Sequence, residues 1–259
     1  KKHIYSALMF SLALLIKPQA VIVFPVFIFY IINLIKEEKL KGFKSAIISA
    51  LAGAALFFVL VTPFSSNGNP FWIFGLYAST LSSYPYASLN TPNFFGMWGG
   101  NGINIYNKFL FFDYNIWSNI FIIGICVAGA VIYFKNKNNE GIFSVSAFLI
   151  AGMYILAAKM HERYVFPVIA IFILYFIVSG KRLSLIYGML LSLLAYLATA
   201  WVLYLNISGQ HPWIASKSPM FIILSFFGVA TFVCMTVWMI RNKEKKEIGQ
   251  RSKMMWMNN

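Results

Sequence analysis

A chain of 259 residues that is 60% hydrophobic and 11% charged is not an ordinary soluble domain, because a water-facing surface of that size needs more polar cover. Its net charge of +14 comes from 21 Lys+Arg against 7 Asp+Glu, and its mean hydropathy is +0.73. The basic residues stand in short runs between apolar segments, which suits orientation in a membrane better than binding to nucleic acid, and neither an aromatic–basic RNA-binding signature nor zinc-finger spacing is present.

A membrane-crossing helix needs about 20 apolar residues. Ile4 to Ile16 is too short to cross alone, and Pro18 predicts a break after it, since proline removes an amide and restricts the residue before it. It reads as a half-span. Lys1-Lys2-His3 leads straight into it without an initiator Met, so 1–259 reads as a single membrane domain forming the C-terminal portion of a longer protein. The alternative is that Lys1 and Lys2 are a natural cytoplasmic flank. Seven full spans are then predicted: Ala20 to Ile35, Ser45 to Pro63, Ile116 to Phe134, Ile142 to Ala158, Tyr164 to Gly180, Leu183 to Leu205 and Met220 to Ile240. The expected fold is an all-α, polytopic membrane bundle. Cys126 and Cys234 each fall midway along a span and read as small buried hydrophobes.

Alternate connectors divide the 21 basic residues into sets of 16 and 5. The larger set holds Lys36, Lys39, Lys41, Lys44, Lys135, Lys137, Lys181 and Arg182, together with Lys1, Lys2 and the basic tail over 241–259. The smaller holds Lys17, Lys108, Lys159, Arg163 and Lys217. The excess of Lys and Arg on cytoplasmic loops puts the larger set inside, and with it the C-terminus.

The long connector over 64–115 is therefore expected outside, and its aromatic content predicts an ordered segment. Pro70 to Ser83 carries Phe71, Trp72, Phe74, Leu76, Tyr77 and Leu81, a pattern for a helix lying in the membrane interface. Tyr84 to Asn93 is rich in turn formers, and Gly96, Gly99, Gly100 and Gly102 suit tight turns or close backbone approach. Asn206-Ile207-Ser208 matches a glycosylation triplet, but at a membrane edge.

Lys159-Met160-His161-Glu162-Arg163-Tyr164 gathers several ionisable types between two spans with almost no loop, so its side chains must lie at the membrane boundary. One reading is an anion site, with His161 and Arg163 donating to a phosphate and Glu162 orienting one of them or accepting from a sugar hydroxyl. The plain alternative is a turn whose basic side chains reach back to the headgroups, with Glu162 as their counter-ion. Lys17, beside Pro18 and Gln19, lies on the same predicted face against the charge bias. Asn90, Asn93 and Asn101 are candidates for sugar hydroxyls and Trp98 for stacking on a sugar ring; equally, Asn makes turns and Trp anchors at interfaces. No His/Asp/Glu group has metal-ligand spacing, and no cofactor is expected.

Lys17-Pro18-Gln19-Ala20, then Tyr84-Pro85-Tyr86-Ala87-Ser88-Leu89-Asn90 running on to Gly99-Gly100-Asn101, then Lys159 to Pro167, together resemble bacterial membrane proteins related to GPI mannosyltransferase II, of the C-type glycosyltransferase superfamily. The resemblance implies a multi-span enzyme that takes a sugar from a polyprenyl-phosphate donor and passes it to a glycan, lipid or protein acceptor at the outer face of the cytoplasmic membrane. It implies donor-phosphate binding by Lys17, His161 and Arg163, and sugar or acceptor contacts by Gln19, Asn90, Asn93, Trp98, Asn101 and Glu162. The superfamily's catalytic carboxylate belongs to a first external loop that this sequence does not contain, so no catalytic residue is assigned. Competing readings are a lipid-linked saccharide transporter or flippase, a polysaccharide polymerase, and a non-enzymatic membrane subunit. A transporter predicts ionisable residues within the spans, and a polymerase predicts more arginine in the long connector than its single basic residue, Lys108.

Overall fold

A computed structural model describes residues 2–66, 68–135, 139–209 and 218–241, with the side chains of Leu81 and Asn139 left out. Lys1, Lys137, Lys217 and the tail beyond Arg241 lie outside the described residues, so the expectations placed on them have no structural counterpart. The first helix, α1, spans Lys2–Ile16. It stops where the sequence predicts: Lys17 is extended (φ −150°, ψ 109°), as a residue preceding proline should be, and Pro18 opens a 3-10 turn over Pro18–Val23.

The second helix, α2, runs over Phe24–Val61, 38 residues with one interruption at Lys39 (φ 52°, ψ −126°). An unbroken helix of that length would extend about 57 Å, nearly twice the hydrocarbon thickness of about 30 Å. The break makes two limbs that face one cavity with α1. Gly42 marks the reversal: a Cβ there would lie 2.5 Å from the carbonyl oxygen of Leu34. The cavity, about 620 Å³, is lined mainly by apolar residues, with His3 and Tyr30 hydrogen-bonded at 2.9 Å on its wall.

Five further long or packed helices follow: α5 over Tyr114–Lys135, α6 over Asn139–Leu156, α7 over Phe166–Ser179, α8 over Arg182–Ile207 and α9 over Pro219–Arg241. Among the described residues, five helical stretches are long and apolar enough to cross a membrane, as expected of a membrane protein. The sequence predicts seven. The difference lies in Pro18–Phe64, one helical stretch of 47 residues, and in α6, whose apolar part covers only Glu140–Leu156. Helix α6 also differs from the others in its position. Val145, Ala147, Leu149, Ala151 and Ile155 are all 0% exposed, so α6 is the central post of the bundle, wrapped by its neighbours. Small residues let helices approach closely: Gly129 of α5 meets Leu149 of α6, and Gly188 of α8 meets Phe172 of α7.

The cysteine expectation needs correcting. Both are free, but Cys126 is half-buried and Cys234 is exposed on the outside of α9, because an apolar helix in a bundle has faces that touch no other helix.

Residues 62–113 are folded throughout their described part. Helix α3 covers Trp72–Ser82, inside the range predicted for an interfacial helix. Ile73 is buried against Phe57 and Val61, whereas Phe71, Phe74 and Leu76 are exposed. Tyr77 Oη donates to the carbonyl of Leu14 (3.0 Å), tying α3 to the end of α1. A short helix, α4 (Phe94–Met97), and a hairpin of β1 (Lys108–Phe109) and β2 (Phe112–Asp113) complete the segment. Ala87, Phe95, Ile105, Tyr114 and Ala158 form its core.

Candidate functional site

Three connectors distant in sequence converge at one end of the bundle. Residues 84–105 are woven to the link between α6 and α7 by backbone hydrogen bonds: Lys159 N–H donates to Tyr86 O (3.0 Å), and Leu89 N–H donates to Met160 O (3.2 Å). Thr91 Oγ1 also donates to Met160 O. The link after α1 joins them through Tyr164, since Lys17 Nζ sits 5.7 Å from the centre of its ring, within cation–π range. The Lys- and Arg-rich connectors share the other end, where Lys36 Nζ lies over Phe134 and Lys181 Nζ pairs with Glu140 at 3.4 Å.

His161 stands at the centre of the convergence. Its ring is held edge-on between Tyr84 (5.1 Å between centroids) and Tyr164 (5.2 Å). Its Nδ1 is 3.7 Å from Glu162 Oε2, and these side chains are 15% and 17% exposed. Glu162 begins a 3-10 turn, Glu162–Val165, that leads into α7. The turn is anchored from below by Tyr154 of α6, whose hydroxyl donates to Glu162 O (3.2 Å). The line from Lys17 through Tyr164 to His161 and Glu162 thus combines a cation, two aromatic walls and a carboxylate.

Two buried polar atoms here lack a partner among the described residues: His161 Nε2 and Gln19 Oε1. Such an atom costs about 1–3 kcal/mol when left dry. Gln19, Lys17 and Tyr164 share a groove of about 390 Å³, whose remaining lining is apolar and includes Ile16, Pro167 and Ile171. The groove therefore has polar residues at one edge and a hydrocarbon-like body.

The other predicted residues are placed differently. Arg163 is exposed and stands one residue beyond the His161–Glu162 pair. Asn90 and Asn101 clasp each other: Asn101 Oδ1 accepts from the Asn90 backbone N–H (2.6 Å), and Asn101 Nδ2 donates to Asn90 Oδ1 (3.1 Å). The clasp accommodates the left-handed backbone of Asn90 (φ 56°), which asparagine tolerates. Asn93, 0% exposed, caps α4 by accepting from Gly96 N–H (2.8 Å) and donates to Ala157 O (3.3 Å). Trp98 is 61% exposed and meets Phe109 at 6.4 Å. So Asn93 and Asn101 hold the connector together from inside, while Asn90 is half-buried and Trp98 faces outward. Among the described residues, no three His, Cys, Asp or Glu side chains gather as a metal site.

Residue pattern alone does not single out Tyr84, Tyr154 or Tyr164. Tyr84 and Tyr164 lie inside the motifs that carry the resemblance, which is the signal that marks them. Tyr154 has none, being one aromatic among many on a buried helix. Compared with known proteins, the chain matches no family model, no curated protein and no solved structure.

Proposed function

We propose that this chain acts as a membrane glycosyltransferase, mannosyltransferase-like, that transfers a sugar from a polyprenyl-phosphate donor to a glycan, lipid or protein acceptor. The observation that carries the reading is Tyr164, which lines an apolar groove together with Lys17, takes the Lys17 ammonium over its ring and packs against His161. A lipid phosphate has the matching form, with an anionic head and a long hydrocarbon tail. Lys17 and His161 would bind the phosphate, and Arg163, two residues beyond His161, would add a two-pronged donor. Cations fixed on the leaving phosphate stabilise the charge that grows on it in the transition state. A base must take the proton of the acceptor hydroxyl, and no residue is assigned that role.

We place this end at the outer face of a bacterial cytoplasmic membrane, on the basic-residue asymmetry. The two limbs of α2 and helix α6 then count as separate crossings, giving seven spans with α1 as a half-span, and 62–113 becomes an external cap. The test is binding of a polyprenyl-phosphate analogue to the purified protein. A hydrogen bond to a charged group is worth roughly 1.5–3 kcal/mol, so Lys17→Ala and Arg163→Ala should each weaken binding by about one to two decades. Arg163→Lys should recover part of the loss. Lys108→Ala, an exposed cation outside the cluster, should leave binding as it was. Equal losses for all three alanine variants would mean diffuse charge attraction and would end the proposal.

A further inference from the structure

The β1–β2 hairpin has a turn chemistry at odds with water. Lys108 pairs with Asp113 and Phe109 with Phe112, leaving Leu110 and Phe111 as the two turn residues. They are 71% and 85% exposed. Leu110 has φ 58°, a left-handed conformation that hairpin turns ordinarily give to Gly, Asn or Asp. A turn in water has no use for a leucine under backbone strain beside a bare phenylalanine.

The hairpin is fixed to the start of α5. Trp117 Nε1 donates to Phe109 O (2.8 Å), and the Trp117 ring meets Phe112 at 5.6 Å. Asp113 Oδ1 accepts from Ile116 N–H (2.7 Å), capping the helix at its first turn. Helix α5 is one of the five stretches able to cross a membrane, and it begins three residues after Phe111. Three residues reach about 10 Å at most. The apolar tip is therefore held at the level where α5 meets the membrane boundary, with exposed Tyr106 and Trp98 nearby in the same connector. Aromatic side chains at that level are the usual anchors of membrane proteins.

We propose that this hairpin is an interfacial anchor, with Leu110 and Phe111 inserted among the lipid headgroups and upper acyl chains. The partner is the bilayer surface itself, because the tip is continuous with a spanning helix. Insertion stops in the interface, about 5–10 Å deep, since the turn's backbone groups need water or headgroup partners that the hydrocarbon core lacks. The inference is independent of any catalytic activity and rests on α5 lying in the membrane.

The experiment uses the full chain with Cys126 and Cys234 replaced by Ala. It carries one bimane label at Phe111→Cys or Ile123→Cys and is reconstituted in phosphatidylcholine nanodiscs. Ile123, mid-way along α5 and 63% exposed, reports on the span itself. The label at 111 should be quenched most by a nitroxide near the lipid headgroup, less by one deep in the acyl chains, and little by aqueous iodide. The label at 123 should show the reverse order of the two nitroxides. Strong iodide quenching at 111, with 123 still quenched by the deep nitroxide, would overturn the anchor and leave the span intact. Protection at 111 from iodide and both nitroxides would mean that protein, such as a second copy, covers the tip, and would overturn it too. No nitroxide quenching at 123 would overturn both the span and the anchor.

Discussion

Gly228 offers the most demanding check on how the connector docks. It lies on α9, where an added Cβ would stand 2.8 Å from Pro92 O, 2.9 Å from Leu194 Cδ2 and 3.1 Å from Ile155 Cδ1. Leu194 and Ile155 have flexible ends that give way cheaply. Pro92 O does not, because the residues around it are fixed by Ser88 Oγ donating to Thr91 O (2.8 Å) and by Asn93 donating to Ala157 O. Overpacking against such a wall costs about 1–3 kcal/mol, and the upper half of that range applies here. Replacing a mid-helix glycine returns about 0.5–1 kcal/mol. Gly228→Ala should thus destabilise by about 2 kcal/mol net, a fall in Tm of roughly 4–8 °C for a chain of this size. Thermal unfolding of the detergent-solubilised protein measures it. Gly124→Ala is the companion, since its Cβ would meet nothing within 4 Å, and it should be neutral or slightly stabilising. If the two variants melt together, the connector does not rest on α9 as described.

Asn93→Ala removes a helix cap and a buried donor together, so it should cost about 1–3 kcal/mol and speed proteolytic cutting between Phe71 and Asn101, where the native protein should resist; unchanged cutting would contradict the role given to Asn93. Tyr154→Phe should cost about 1 kcal/mol through its lost bond to Glu162 O, read as a lower Tm with the fold retained. In a chain without its native cysteines, Lys39→Cys should resist an impermeant thiol reagent in sealed cells while Asn69→Cys reacts; labelling at position 39 would reverse the proposed orientation.

Much of this architecture is legible in the sequence because hydropathy and proline act locally. The stop after Ile16, helix α3 and the turn-rich course of 84–93 follow from residue type alone. So does the close approach at Gly96, where a Cβ would sit 2.8 Å from both Phe221 and Ser225. What hydropathy cannot see is which neighbour an apolar residue has. Leu149 and Ile123 are alike in composition, yet one is 0% and the other 63% exposed, because one faces protein on all sides. The same blindness misjudged Cys234. Spans ending at Ile35 and starting at Ser45 imply a connector over Lys36 to Lys44, but Lys36-Glu37-Glu38 and Lys41 are good helix formers. The chain stays helical there and concentrates the reversal in Lys39. In the candidate site, the charged motifs announce themselves, whereas the contact of Leu89 with His161 spans seventy-odd positions and leaves no local trace.

The weave between residues 84–105 and the α6–α7 link has a consequence for biosynthesis. At about 5–20 residues per second, roughly 3–11 s separate the synthesis of Ile105 from that of His161. Throughout that interval the connector has emerged but has no Met160 carbonyl to receive Leu89 and Thr91, and no Ala157 carbonyl to receive Asn93. Its resting place against Gly228 is made later still. The segment therefore completes its contacts only after α9 is made, although its residues precede all five of the helices α5 to α9. A slow codon run between α5 and α7 would lengthen the interval in which Leu89, Thr91 and Asn93 lack their Met160 and Ala157 partners.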